Sequence, residues 1–274
     1  MSKVQLPVVN CAWLAEQLNN PQVVIVDCRF DLSDPQWGEG QYRHSHIPGA
    51  DYLHLDQDLS APLKRHGGRH PLPEPERFAS KMASLGVDFG KTLVVAYDSS
   101  RFAFAARLWW LLRYFGHDQV AVLDGGWLAW QEGQYPVNDT LGIASQGDFI
   151  PQVRTDLIVG IETVKNYQNG PEMILVDSRD HNRYLGKVEP IDPVAGHIPG
   201  AINLPWKEVT KPSQEIRSSL VQSQRWQNYQ FGSPLVVYCG SGVTACVNLL
   251  SLEIAQINNA KLYPGGWSDW CSYD

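Results

Sequence analysis

The chain is short of cysteine, of long apolar runs and of clustered positive charge. Its five cysteines (Cys11, Cys28, Cys239, Cys246 and Cys271) are an odd number, with no C-x-x-C pair and no histidine at zinc-ligand spacing. That usage excludes a disulfide framework and a structural zinc, and is expected of free thiols in a reducing cytoplasm. The opening residues, Met1 to Gln17, lack an apolar stretch long enough for a signal-peptide core. The most apolar later stretch, Phe102 to Phe115, is cut by Arg107 and Arg113 and is too short to span a bilayer. There is no block of Lys/Arg, and 22 basic against 29 acidic residues leave a net charge of −7. Neither nucleic acid nor an anionic membrane surface is therefore expected as a partner. A small anionic substrate stays open, because it needs only local positive potential.

What is present is an ordinary globular composition, 43% hydrophobic and 19% charged, in 274 residues, enough for one large or two mid-sized domains. The chain also repeats itself. Val23-Val24-Ile25-Val26-Asp27-Cys28-Arg29 returns as Met173-Ile174-Leu175-Val176-Asp177-Ser178-Arg179, and His46-Ile47-Pro48-Gly49-Ala50 as His197-Ile198-Pro199-Gly200-Ala201. Leu93 to Asp98 answers Leu235 to Cys239, and Gly125-Gly126-Trp127 answers Gly265-Gly266-Trp267. Asp27 precedes His46 by 19 residues and Asp177 precedes His197 by 20. Four motifs in one order at near-equal spacing mean a duplicated domain.

Within each copy, continuous apolar runs such as Val23–Val26, Leu93–Ala96 and Val120–Leu123 read as strands covered on both faces. Between them lie helical patterns, Pro75–Leu85 and Ala103–Phe115. The alternation predicts an α/β fold of two tandem domains, each a parallel sheet flanked by helices, with ligands at the carboxyl ends of the strands. We expect a first domain over 1–140, a linker over 141–155 and a second domain over 156–274.

The copies differ where chemistry is expected. After its third apolar strand the second copy reads Cys239-Gly240-Ser241-Gly242-Val243-Thr244, where the first has Asp98 and a bulkier loop. A cysteine at a strand end, followed by a small-residue loop that opens a helix near Val243, sits in an anion-binding nest of backbone N–H groups. Such a thiol is expected to react as a thiolate.

These motifs resemble the tandem-domain sulfurtransferases of the rhodanese superfamily, over nearly the whole chain from about Cys11 to Trp270. The resemblance implies a catalytic second domain with Cys239 and a first domain with Asp98 in its place, the two copies facing each other across the active cleft. The loop is similar to the mercaptopyruvate form of the family; the thiosulfate form carries Arg and Lys where this chain has Gly240 and Ser241. Thiosulfate is a compact dianion, and each charge-assisted hydrogen bond lost costs on the order of 1.5–3 kcal/mol. Mercaptopyruvate has one carboxylate and a ketone, so the loop favours it.

The resemblance implies transfer of sulfur through a Cys239 persulfide to a thiol acceptor such as thioredoxin or glutathione, or to cyanide, with no metal or organic cofactor. Arg183 matches the anion-binding arginine, and Gly240, Gly242, Val243 and Thr244 offer loop N–H groups. Arg179, kept as Arg29 in the copy without the cysteine, reads as half of a structural ion pair. Ser241 either donates to the substrate or caps the following helix. The family's relay to that serine is assigned to His46, with Asp34 as the nearby carboxylate. Both copies keep this histidine, however, so a structural turn explains it and His197 equally well. The second substrate arginine of the mercaptopyruvate enzymes is missing from Lys187 to Ala195, which leaves either Lys187 or Arg101 as a substitute or a weaker hold on the carboxylate. Cys246 reads as a helix-buried thiol. A phosphatase is excluded, because Ala245 stands where the Cys-x5-Arg loop needs arginine. The alternatives are a thiosulfate:cyanide sulfurtransferase and a persulfide carrier for a protein partner.

Overall fold

The computed structural model describes residues 7–142, 146–166, 173–229 and 233–273, which form two compact α/β units. Unit 1 comprises, in chain order, β1 (Val8–Val9), α1 (Cys11–Gln17), β2 (Val23–Asp27), α2 (Trp37–His44), β3 (Ala50–Tyr52), α3 (Pro75–Ser84), β4 (Leu93–Tyr97), α4 (Ala105–Tyr114), β5 (Val120–Leu123) and α5 (Gly126–Glu132). Its five strands are all parallel in the order β1-β5-β4-β2-β3. Unit 2 carries α6 (Ile161–Asn166), β6 (Ile174–Asp177), α7 (His181–Tyr184), β7 (Ile202–Asn203), α8 (Ser219–Trp226), β8 (Leu235–Tyr238), α9 (Ala245–Ile254), β9 (Ala260–Leu262) and α10 (Gly266–Trp270). Its sheet is parallel with the order β7-β6-β8-β9. The central strands β4 and β8 are buried at every residue, as apolar runs covered on both faces must be.

The repeated motifs turn out to be one scaffold built twice. In unit 1 the guanidinium of Arg29 donates to both oxygens of Asp27 and to the Ser45 carbonyl (2.7 Å), and lies 4.3 Å from the Trp127 ring centroid. In unit 2 Arg179 does the same with Asp177, the Gly196 carbonyl (2.6 Å) and the Trp267 ring at 4.9 Å. Both aspartates and both arginines are buried, a state that charged side chains reach only when fully paired. The Asp-x-Arg, His-Ile-Pro-Gly and Gly-Gly-Trp motifs thus recur together because each supplies a partner to the others.

The units are not contiguous in sequence, unlike the expected domains 1–140 and 156–274. Ala61–Leu72 of the first repeat belongs to unit 2, and Thr210–Ile216 of the second belongs to unit 1. Local bonds explain both assignments. The Gly67 N–H donates to Asp269 (2.7 Å) and the Arg69 N–H to the Ser268 hydroxyl (3.1 Å), while the Ile216 N–H donates to Asp124 (2.7 Å). The stretch 141–155 also differs from a free linker. Residues 143–145 lie outside the described residues, but Phe149 is buried against Phe78 and Phe89, and Gln152 and Arg154 bond the backbone after α4, so unit 1 extends to Arg154. Among the described residues, no helix is long and apolar enough to cross a membrane.

Candidate active site

Cys239 follows β8 directly and is 2% exposed. Its carbonyl accepts the Trp267 N–H at 2.8 Å, as the Asp98 carbonyl accepts that of Trp127 in unit 1. This clamp requires Gly266, whose φ is +61° and where a Cβ would fall 2.6 Å from the Cys239 carbonyl oxygen. The Gly-Gly-Trp motif therefore fixes the cysteine from behind while the loop Gly240–Thr244 runs to α9. That helix starts at Ala245, slightly later than the expected Val243, and Thr244 at its N-cap makes no side-chain capping bond.

The hydroxyl of Ser241 does not cap the helix. It lies 2.7 Å from Nδ1 of His70, and both residues are buried. The expected partner, His46, is corrected by its surroundings. In unit 1 its ring is fully buried, with Nδ1 facing the Tyr42 carbonyl at 2.6 Å and Nε2 the Thr140 carbonyl at 3.1 Å. It stacks on Tyr42 at 4.2 Å, as His197 stacks on Tyr184 at 3.9 Å, so both histidines serve the repeated scaffold. Asp34 lies in the exposed turn before α2 and accepts the Gln36 N–H at 3.2 Å.

A second arginine, Arg69, stands beside Arg183 at the cysteine loop. A Cβ on Gly240 would lie 2.8 Å from Arg69 Nη2 and 3.7 Å from Arg183 Nη2, so two guanidinium groups occupy the space a side chain at this loop position would fill. Arg183 reaches there from α7, whose start is capped by Asp180 accepting the Asn182 N–H (3.0 Å). Lys187 is exposed, and Arg101 in unit 1 donates to Thr210 and to the Lys211 carbonyl.

Carboxylates surround the arginines. Glu189 accepts from Arg183 (2.7 and 3.2 Å) and from Arg179 (3.2 Å), while Asp192 bridges Arg69 and Arg183, the latter at 3.1 Å. Burial lowers the Arg69 pKa, the charge of Cys239 draws it back up, and the like charge of Arg183 lowers it again.

Unit 1 displays what the equivalent loop does to an anion. The Asp98 carboxylate accepts from the N–H groups of Ser100, Phe102, Phe104 and Ala105 at 2.8–3.1 Å. The loop there is one residue longer, seven from Asp98 to the first residue of α4 against six from Cys239 to that of α9. Cys246 is a buried thiol whose Sγ lies 3.4 Å from the Gly242 carbonyl oxygen.

His70 and Arg69 were not found from sequence, although a signal existed. Asp27 to Asp98 spans 98 − 27 = 71 positions, and Asp177 to Cys239 spans 239 − 177 = 62. The excess falls around Lys64-Arg65-His66-Gly67-Gly68-Arg69-His70, which makes the excursion of the first copy, Ala61–Leu72, longer than that of the second, Thr210–Ile216, and carries the two missed side chains.

Comparison with known proteins gives a consistent picture. The rhodanese-like domain family matches residues 10–133 and again 161–273. A probable 3-mercaptopyruvate sulfurtransferase of Pseudomonas aeruginosa is 40% identical over 98% of this chain and 96% of its own length. A putative thiosulfate sulfurtransferase, SseB of Mycobacterium tuberculosis, is 35% identical over 91% of this chain and 88% of its own. The crystal structure of SseA from Escherichia coli, a 3-mercaptopyruvate sulfotransferase with the rhodanese fold, superposes with a TM-score of 0.82 at 31% identity, covering 96% of this chain and 100% of that one.

Proposed function

The chain belongs to the rhodanese-like family, and from that premise we propose that it transfers sulfur from 3-mercaptopyruvate through a persulfide on Cys239. The single observation that carries the choice of donor is the 2.7 Å contact between Ser241 Oγ and His70 Nδ1 beside the cysteine loop. Sulfite leaves thiosulfate as a stable anion and needs no proton. Pyruvate leaves mercaptopyruvate as an enolate and does.

The Cys239 thiolate attacks the substrate sulfur; the S–S bond forms as the C–S bond breaks, and the electron pair passes to the pyruvate enolate. With His70 donating from Nδ1, the Ser241 hydroxyl directs its own proton at the ketone oxygen or the enolate. Proton transfer of this kind contributes about 10²- to 10⁴-fold. Arg69 and Arg183 receive the single carboxylate, for which planar guanidinium groups are well shaped. Loop N–H groups then hold the outer sulfur as the Asp98 carboxylate is held in unit 1. The outer sulfur leaves to an acceptor thiolate, such as glutathione or a thioredoxin-type dithiol, or to cyanide, regenerating the Cys239 thiolate. No step calls for a metal or organic cofactor.

The test is thiocyanate and pyruvate formation from cyanide with mercaptopyruvate or thiosulfate, for wild type and Cys239→Ser. Turnover that is higher with mercaptopyruvate and lost in the variant is expected. Activity surviving in the variant, or none with either donor, overturns the proposal.

A further inference from the structure

The loop of this protein lacks side-chain cations at Gly240 and Ser241, yet two guanidinium groups reach the same space from elsewhere. By positive charge alone the site would suit a dianion as well as a monoanion. What distinguishes it is Asp192. Its carboxylate is only 2% exposed and bridges the two arginines, one oxygen on Arg69 and the other on Arg183. We infer that Asp192 is the residue that sets donor preference, cancelling one positive charge at the Arg69–Arg183 pair so that the site accepts a monocarboxylate and disfavours a dianion. The inference rests on the reading of Cys239 as a sulfurtransferase nucleophile and deepens it.

Asp192 is not a surface side chain that happened to fold inward. Its own N–H and that of Ile191 donate to Glu189 at 3.1 Å, and Pro190 and Pro193 flank the turn and restrict its backbone. Glu189 is itself shared between Arg179 and Arg183, and Asp177 is committed to Arg179. Around the cysteine loop, Arg69, Arg179 and Arg183 therefore face Asp177, Glu189 and Asp192, and these six charges sum to zero. The thiolate makes the balance negative, and a thiosulfate dianion adds two further charges where mercaptopyruvate adds one.

The electrostatic consequence differs between donors in a fixed way. Removing the Asp192 charge improves the interaction with each negative charge on the donor. If a monoanion gains a given factor in kcat/KM, a dianion of similar position gains about its square, so the donor ratio moves by that factor. For unit charges a few ångströms apart in a partly buried site the factor is about tenfold or more. A residue that merely held the loop in shape would change both donors together. Selectivity, not activity, is therefore the diagnostic readout.

The experiment measures kcat/KM for thiosulfate and for mercaptopyruvate, with cyanide as acceptor, in wild type, Asp192→Asn, Asp192→Glu and Arg69→Gln. Asp192→Asn is expected to raise the thiosulfate-to-mercaptopyruvate ratio about tenfold or more, with a steeper loss of thiosulfate activity as salt is added. Asp192→Glu keeps the charge and is expected to keep the wild-type ratio even where absolute rates fall. Arg69→Gln removes a positive charge and is expected to lower the ratio by a similar factor, which tests the inference independently of how well Asp192→Asn folds. A ratio unchanged in both Asp192→Asn and Arg69→Gln, or moved as far by Asp192→Glu as by Asp192→Asn, overturns the role of Asp192 and leaves the sulfurtransferase standing. A wild type inactive with both donors overturns the sulfurtransferase reading, and this inference with it.

Discussion

His70 Nδ1 and Ser241 Oγ stand 2.7 Å apart across 171 positions of sequence, both buried within unit 2. The histidine comes from the first repeat and the serine from the loop of the second, so the contact exists only because Ala61–Leu72 folds with the other copy. If the pair acts as one unit, removing either member removes most of its effect. His70→Ala and Ser241→Ala are each expected to lower kcat with mercaptopyruvate by about 10²- to 10⁴-fold. The double variant should be little worse than either single one. Losses that multiply in the double variant would show two independent roles.

Gly68 controls where that strap lies. Its φ is +80°, and a Cβ would fall 2.3 Å from the Gly265 carbonyl oxygen, a backbone atom that cannot swing aside. Gly68→Ala must therefore displace Arg69 and His70, which follow it directly. Misplacement by an ångström costs about 10²-fold in rate. Turnover of Gly68→Ala is expected to fall by about that factor, while Cys239 still reacts stoichiometrically with a thiol reagent. Wild-type turnover in this variant would show that the strap tolerates the shift and that its geometry is not limiting.

Arg183 offers a cleaner separation of binding from chemistry. Its guanidinium makes parallel contacts with Glu189 and a further one with Asp192, a planar arrangement that lysine cannot copy. Arg183→Lys keeps the charge and loses the fork. A rise in KM for mercaptopyruvate of about tenfold, with kcat changed less, is expected if the arginine holds the carboxylate equally in the ground and transition states. A fall in kcat at constant KM would place its action on the transition state instead.

The duplication and the parallel sheets were legible in the sequence because local patterns cause them, and the same patterns single out Cys239 and Arg183 as candidates. An apolar run such as Leu235–Tyr238 has few alternatives to a buried strand, and the cysteine after it is singled out by the Asp98 that replaces it in the first copy. The same repeat explains why His46 misled. A histidine kept in both copies belongs to what the copies share, the scaffold in which His46 and His197 each face a backbone carbonyl and stack on a tyrosine. His70 and Arg69 sit in a segment that is longer in the first copy, Ala61–Leu72, than its counterpart Thr210–Ile216 in the second. Nothing local in Gly67-Gly68-Arg69-His70 states that its partners are Asp269, Ser268 and Ser241, because those contacts are tertiary.

Asp98 shows that the loop without a cysteine has become structural. Four backbone N–H groups converge on its buried carboxylate, three of them, those of Phe102, Phe104 and Ala105, within the buried part of the loop. Leaving buried donors unpaired costs about 1–3 kcal/mol each, with partial relief when they relax together. Asp98→Ala is expected to destabilise the protein by at least about 3 kcal/mol, read as a lowered urea midpoint with an unchanged slope. A loss below about 1 kcal/mol would mean that the loop closes on itself without the carboxylate.

The acid limb of stability should carry the signature of His117. The ring is fully buried, with Nε2 facing the Thr92 and Gln119 carbonyls at 2.9 and 3.0 Å and Nδ1 accepting the Gly90 N–H at 3.0 Å. That pattern is met by one neutral tautomer, and burial holds the pKa of the folded state below its usual 6.5. The unfolded chain takes up a proton as pH falls through about 6.5, which the folded state resists. The stabilisation is therefore complete above that pH and is lost as pH falls toward the folded value, at up to about 1.4 kcal/mol per pH unit. Neighbouring Asp118 does not confuse this window: its hydrogen bonds with Arg154 lower its pKa from 3.8, so its contribution is lost only in stronger acid. Urea midpoints between about pH 7 and pH 5 should fall more steeply in wild type than in His117→Gln, whose side chain does not titrate. Equal slopes in the two proteins would show that His117 takes up its proton without leaving the fold.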